Sequence, residues 1–216
     1  MSGAWPWLAV AALGAYHGID PSMGWLFAVA LGLQDRSRTR VLSALVPIAM
    51  GHLVAIGLVV ALVAALQSVV AIEWLQPAGG VALILFGAFR FLRPRAHPRW
   101  VAMRVNFAEL GLWSFLMASA HGAGLMLFPI LLGMRTPGGS MHHMHHHMVA
   151  LAHDSSIARA VAVVLLHTGA MVVVMGTIAL LVYEKLGLAI LRSAWINLDT
   201  IWAGALLAAG VISFAI

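Results

Sequence analysis

Apolar residues run through this chain in six long blocks, at about 5–33, 41–66, 72–92, 107–133, 157–183 and 189–215, separated by short polar gaps. A hydrocarbon layer of about 30 Å is crossed by roughly 20 apolar helical residues, so each block predicts one membrane-spanning helix. The first block exceeds that length. Near its middle stand His17, Gly18, Ile19, Asp20, Pro21 and Ser22. Proline removes an amide donor and disfavours helical geometry at the residue before it, so a break is predicted there. The expected fold class is all-α: a polytopic membrane protein of six helices, the first broken near His17–Pro21.

Composition agrees with the pattern. Of 216 residues, 62% are apolar and 9% charged, and mean hydropathy is +0.99. A soluble domain averages about 45–50% apolar and about 25% charged, so a globular cytosolic enzyme is excluded. The N-terminus lacks the basic region of a cleavable signal peptide and reads as part of the first span. Ten of the twelve Lys and Arg fall in the gaps after spans 1, 3 and 5 or at the span ends beside them: Arg36, Arg38, Arg40, Arg90, Arg93, Arg95, Arg99, Arg104, Lys185 and Arg192. The positive-inside rule places those gaps in the cytoplasm and both termini outside, in a bacterial-type inner or plasma membrane. The net charge of +5 thus marks orientation and no nucleic-acid partner.

The two halves echo each other. Ala15-Tyr16-His17-Gly18 is matched by Ser119-Ala120-His121-Gly122, and His52 later in one half is matched by His167 in the other. Three spans per half is an odd number, so the halves insert with opposite topology. This predicts an inverted 3+3 repeat: residues 1–92, a basic cytoplasmic loop 93–106, and residues 107–216 with an outer loop at 135–156. Transporters built this way hold substrate near the midplane, often beside broken helices.

Ionisable groups at membrane depth are expensive and mark sites by default. Here they are His17, Asp20, His52, His121 and His167. Neutral imidazole with a carboxylate suits a transition metal (Ni, Co, Zn or Cu) better than a hard ion such as Ca²⁺. Asp20 has a second reading, as a cap on the amides of residues 22 and 23. Asn197 and Asp199 read as caps of the last span beside Trp195, and Glu109 as the partner of a nearby Arg. The outer loop carries Met141, His142, His143, Met144, His145, His146, His147 and Met148, a composition that binds metal through imidazole and thioether. The absence of cysteine excludes thiolate sites and disulfides.

His17-Gly18-Ile19-Asp20 resembles the His/Asp cation motif of the nickel/cobalt transporter family. The small apolar chain with three-plus-three spans resembles, more loosely, the LysE-like transporter superfamily. A further Asp and His of the nickel/cobalt motif are replaced by Pro21, Ser22 and Met23. The phrase from His17 to Gln34, with His121–Gly124 and Asn197–Asp199, also looks like an uncharacterised group of bacterial integral membrane proteins. The first resemblance implies a secondary transporter of a divalent transition metal, with the five midplane residues as its site and proton coupling as one mode.

Two other functions stay open on the residues alone. One is a membrane subunit or assembly factor for a metalloenzyme. The other is a redox protein with haem held between histidines such as His52 and His167. No His-Glu-x-x-His, Gly-x-Ser-x-Gly or nucleotide-loop motif occurs, which favours transport over an enzyme. The partners expected are the lipid bilayer and a metal ion. Gly79-Gly80 and Gly87 would serve helix packing within one chain, in a homo-oligomer or against a partner subunit.

Overall fold

The computed structural model describes residues 4–70, 72–92, 105–133, 146–186 and 198–213, and no strand occurs among them. Helix α1 (Trp5–Ile19) carries Pro6 in its first turn, where the missing amide costs no hydrogen bond. It stops one residue before Asp20, whose φ of −65° and ψ of 118° are those of a residue ahead of proline. A 3-10 turn (Pro21–Met23) follows, then Gly24 at φ 118°, then α2 (Trp25–Asp35). The break predicted from Pro21 is therefore present.

Helix α3 (Arg38–Val69) is capped by Ser37, whose hydroxyl accepts from the Arg40 amide at 3.3 Å. It runs on through Pro47. Helix α4 (Ile72–Leu92) follows. Helix α5 (Phe107–His121) opens with a capping box: the Glu109 amide donates to Asn106 Oδ1, and the Asn106 amide to Glu109 Oε2, both at 2.9 Å. Glu109 was expected to pair with an arginine. Its carboxylate satisfies an amide left open at the helix start, and the adjacent Arg104 lies outside the described residues. Helix α5 is capped by Gly122 at φ 69°, and the chain continues as α6 (Ala123–Met126) and α7 (Phe128–Gly133).

Helix α8 (His146–Leu181) begins well inside the segment expected to be loop 135–156. Nothing from His146 to Thr168 is Gly or Pro, and Ala150, Leu151 and Ala152 are strong helix formers, so the helix extends past its apolar part. A π-helical turn (Val182–Leu186) closes it, and α9 (Leu198–Ile212) is the last helix described.

These helices fall on the six apolar blocks. By length and composition, Arg38–Leu66 and Ile157–Lys185, 29 residues each, can cross a membrane. Phe107–His121 with Ala123–Leu131, bent by 49°, makes a third candidate. Along α3, Leu42, Val46, Met50, Val54, Leu58 and Leu62 all face out of the bundle, and Leu62 is 60% exposed. The fully buried positions include four histidines. Apolar outside and polar within suits a lipid solvent, where the bundle gains nothing by hiding leucine.

The main packings are α1 along α8, α3 along α5, α4 along α9 and α2 against α3. Small residues let the backbones meet. A Cβ on Gly14 would overlap the His167 carbonyl, and one on Gly51 would overlap the Gly111 carbonyl. One apolar cluster gathers Met23, Trp25, Ile48, Leu110, Met171 and Met175. A second gathers Val10, Ile56, Ala118, Leu127 and Val163. A third, of Val63, Leu83, Phe128 and Leu206, joins α4 and α9 to the rest. Arg38 pairs with Glu184 at 3.0 Å and Arg40 with Asp35 at 3.1 Å, at the end of the bundle where the first cytoplasmic gap was expected.

Candidate metal centre

His17 on α1, His52 on α3 and His167 on α8 meet inside the bundle, each 0% exposed. Ring centroids lie 5.3 Å apart for His17 and His52, 4.9 Å for His17 and His167, and 5.6 Å for His52 and His167. One ligand nitrogen from each stands within 4.8 Å of the other two, close enough to bind one metal ion. Three nitrogens around an ion at about 2.0–2.1 Å would stand roughly 3.3 Å apart, so the rings need to close by about 1.5 Å at most. No such ion's identity is fixed by three neutral imidazoles.

The local sequence explains the meeting. Gly14 and Gly18 bracket His17 and bring α1 onto the backbone of α8 at His167 and Met171. Gly51, beside His52, does the same for α3 and α5. Ser114 of α5 donates to the Ile48 carbonyl at 2.7 Å, one turn before His52, and ties that turn in place. His17 Nδ1 donates to the Leu13 carbonyl at 2.9 Å, which assigns the tautomer and turns Nε2 into the ligating nitrogen. Both ring nitrogens of His52 are buried without a hydrogen-bond partner among the described residues. The His167 ring lies toward the Val10 carbonyl but outside hydrogen-bond geometry. Buried polar atoms left this way are costly, and a ligand is one remedy.

Asp20 and His121, expected in the same site, form a separate cluster. Asp20 Oδ1 accepts from the Ser22 amide at 2.9 Å and the Ser22 hydroxyl at 2.7 Å, which is the cap reading. Asp20 Oδ2 faces His121 Nε2 at 3.8 Å. His121 Nδ1 donates to the Met117 carbonyl at 2.8 Å, the same one-turn-back bond that His17 makes. His121 stands within electrostatic reach of His17 and His52. The five residues are thus brought together as three plus two.

Sequence reasoning passed over the groups that close the first break. Trp25 Nε1 donates to the Ile19 carbonyl at 3.1 Å, and Trp113 Nε1 to the Ser22 carbonyl at 3.2 Å. Backbone carbonyls left open by a break inside the bundle need such partners. The available signal was two tryptophans well inside their apolar blocks, away from the interfaces where tryptophan usually gathers. Thr168, next to His167, also has a buried hydroxyl without a partner among the described residues.

Of the outer metal ligands expected, Met141, His142, His143, Met144 and His145 lie outside the described residues. His146, His147 and Met148 open α8, and only their backbone is described. Asn197 lies outside as well, and Asp199 falls in the first turn of α9. His17 packs against both His52 and His167, the pair considered for haem. Against known protein families, curated proteins and solved structures, the chain has no match.

Proposed function

We propose that this chain is a multi-pass membrane transporter of a divalent transition-metal ion, bound midway by His17, His52 and His167. The observation that carries the reading is the buried histidine trio, drawn from three helices and within 4.8 Å nitrogen to nitrogen. Along α1, α3 and α8 each histidine falls between the two main apolar clusters: His17 between Val10 and Met23, His52 between Ile48 and Ile56, His167 between Val163 and Met171. An ion there is sealed from both sides. Passage requires one cluster to part while the other stays closed, which is alternating access.

An inverted repeat is part of the same reading. Helix α1 packs on α8 as α5 packs on α3, the exchange expected when two halves swap second spans. His17 and His121 each stand at the end of a half-helix beside a break, each bonded to the carbonyl four residues back. With six spans and both termini outside, the cluster around Ile48 and Met175 forms the inner seal and that around Ile56 and Val163 the outer one. The likeness to nickel/cobalt transporters rests on His17-Gly18-Ile19-Asp20 and belongs to the proposal.

The test is uptake of Co²⁺, Ni²⁺ and Zn²⁺ into proteoliposomes containing only this chain and a trapped metal indicator. The wild type is expected to take up at least one of them, and His52→Ala and His167→Ala to lose that uptake. Uptake equal to empty liposomes, or unchanged in both variants, refutes the proposal. Transport by the chain alone also excludes its being merely a subunit or assembly factor.

A further inference from the structure

A threonine inside a helix ordinarily turns its hydroxyl to the carbonyl one turn back. Thr177 of α8 does so, donating to the Val173 carbonyl at 2.8 Å. Thr168 of the same helix does not. It is 6% exposed, and its Oγ1 is buried without a partner among the described residues. Both ring nitrogens of His52 and of His167 share that condition. Thr168 follows His167 directly, and consecutive residues on a helix point about 100° apart. Helix α1, which carries His17, covers α8 at His167 and Met171; further along α8, Gly176 meets Leu45 of α3, which carries His52. Thr168 falls between those two sides of α8, so its buried hydroxyl is turned into the angle between α1 and α3, where the trio stands.

The three ring centroids form a triangle of 4.9, 5.3 and 5.6 Å. In a square-planar shell two of any three ligands stand opposite each other, about 1.4 times as far apart as neighbours. Near-equal sides instead match one face of a tetrahedron or an octahedron. An octahedron needs three further ligands, and Thr168 Oγ1 is the one buried side-chain oxygen without a partner among the described residues. A tetrahedron needs one. We infer that Thr168 completes the trio as a four-coordinate site: an ion on His17, His52 and His167 takes water as its fourth ligand, and Thr168 Oγ1 accepts a hydrogen bond from that water. A water about 2.0 Å from the ion and about 2.8 Å from the hydroxyl spans the gap that a short threonine side chain leaves. The substrate class narrows to ions that accept a tetrahedral shell, Zn²⁺ and Co²⁺, over Ni²⁺. This selectivity rests on the reading of the trio as the metal site.

The experiment is Co²⁺ and Ni²⁺ binding to the full chain, with His142, His143, His145, His146 and His147 replaced by Gln to silence the outer loop. His52→Ala in that background is the blank for ions held elsewhere. Affinity is read by competition with a chelating indicator, and geometry by the visible absorption of bound Co²⁺, intense for four ligands and weak for six. The parent is expected to hold one equivalent above the blank with the intense spectrum. It should bind Co²⁺ at least about tenfold more tightly than Ni²⁺, the reverse of the ordinary order. Thr168→Val keeps the volume and loses the hydroxyl, and should weaken Co²⁺ binding by about 10–100-fold, as loss of an outer partner of a metal shell does. Thr168→Ser should restore it. Melting curves followed by circular dichroism identify folded variants, and Thr168→Ala replaces Thr168→Val if the latter is unfolded. No metal above the blank overturns the trio, and this inference with it. Equal affinity in the parent and Thr168→Val, or a loss that Thr168→Ser does not restore, overturns the role of the hydroxyl and leaves the trio. A weak six-ligand spectrum, or Ni²⁺ held as tightly as Co²⁺, overturns the tetrahedral shell and leaves the trio.

Discussion

Substituting Gly18 by alanine tests the packing that assembles the trio. A Cβ at Gly18 would stand 2.5 Å from the Met171 carbonyl oxygen and 2.9 Å from Val174 Cβ. The first neighbour is backbone in the middle of α8 and cannot swing aside. Reaching ordinary contact at 3.4 Å requires α1 to retreat by about 0.9 Å. Overpacking of this kind costs about 1–3 kcal/mol. The same retreat takes His17 from 4.9 Å to roughly 5.8 Å from His167, when metal binding needs the rings to close. Metal affinity at the trio should fall at least about tenfold, or about 1.4 kcal/mol. Gly169→Ala is the control. It lies two residues from His167, yet a Cβ there meets nothing within 4 Å. That variant should be neutral, or more stable by about 0.5–1 kcal/mol from its better helix propensity. The assay is thermal melting by circular dichroism in detergent, with Co²⁺ binding on the same samples. If Gly18→Ala matches Gly169→Ala in both measurements, the apposition of α1 and α8 is wrong and the trio with it.

Substitutions at three further positions probe the surroundings. Ser114→Ala removes the buried bond to the Ile48 carbonyl, and should lower stability by about 0.5–1.5 kcal/mol; an unchanged melting temperature would show that this bond does not anchor the turn before His52. Asp20→Ala removes the cap on Ser22 and should cost about 0.5–2 kcal/mol, whereas Asp20→Asn should keep most of it; equal melting temperatures for the two would refute the capping role. Arg38→Ala breaks the pair with Glu184, but the Arg38 side chain is 69% exposed, so the change should cost less than about 1 kcal/mol; a larger drop in melting would mean the pair holds the π-helical turn in place.

The broken first span was legible because its cause is local. Pro21 disfavours helical geometry at Asp20, and, unlike at Pro47 within α3, Asp20 and Ser22 close a turn there with their own atoms. The second break was harder to see. No proline stands at Gly122, and its positive φ is visible only in the folded backbone. The apolar part of α8 starts at Ile157, where the fifth block was expected to begin, but the helix itself starts at His146 because nothing between the two stops it. Trp25 and Trp113 passed unnoticed because their roles depend on carbonyls that only the break exposes.

What the sequence determines by itself is therefore what short-range chemistry and the solvent dictate. Apolar blocks of helical length are compatible with a lipid solvent, Pro21 favours one break, and histidines and an aspartate among apolar residues flag a candidate site. Tertiary structure alone decided how those residues are grouped. His17, His52 and His167 are separated by 35 and 115 positions in the chain and meet only because α1, α3 and α8 cross at small residues. Asp20 shares a helical segment's end with His17, yet it turns to Ser22 and His121, since the break redirects the chain after Ile19. Periodicity places a residue on its own helix; which side chains it meets depends on which helices pack and how closely, and that is settled by the whole bundle.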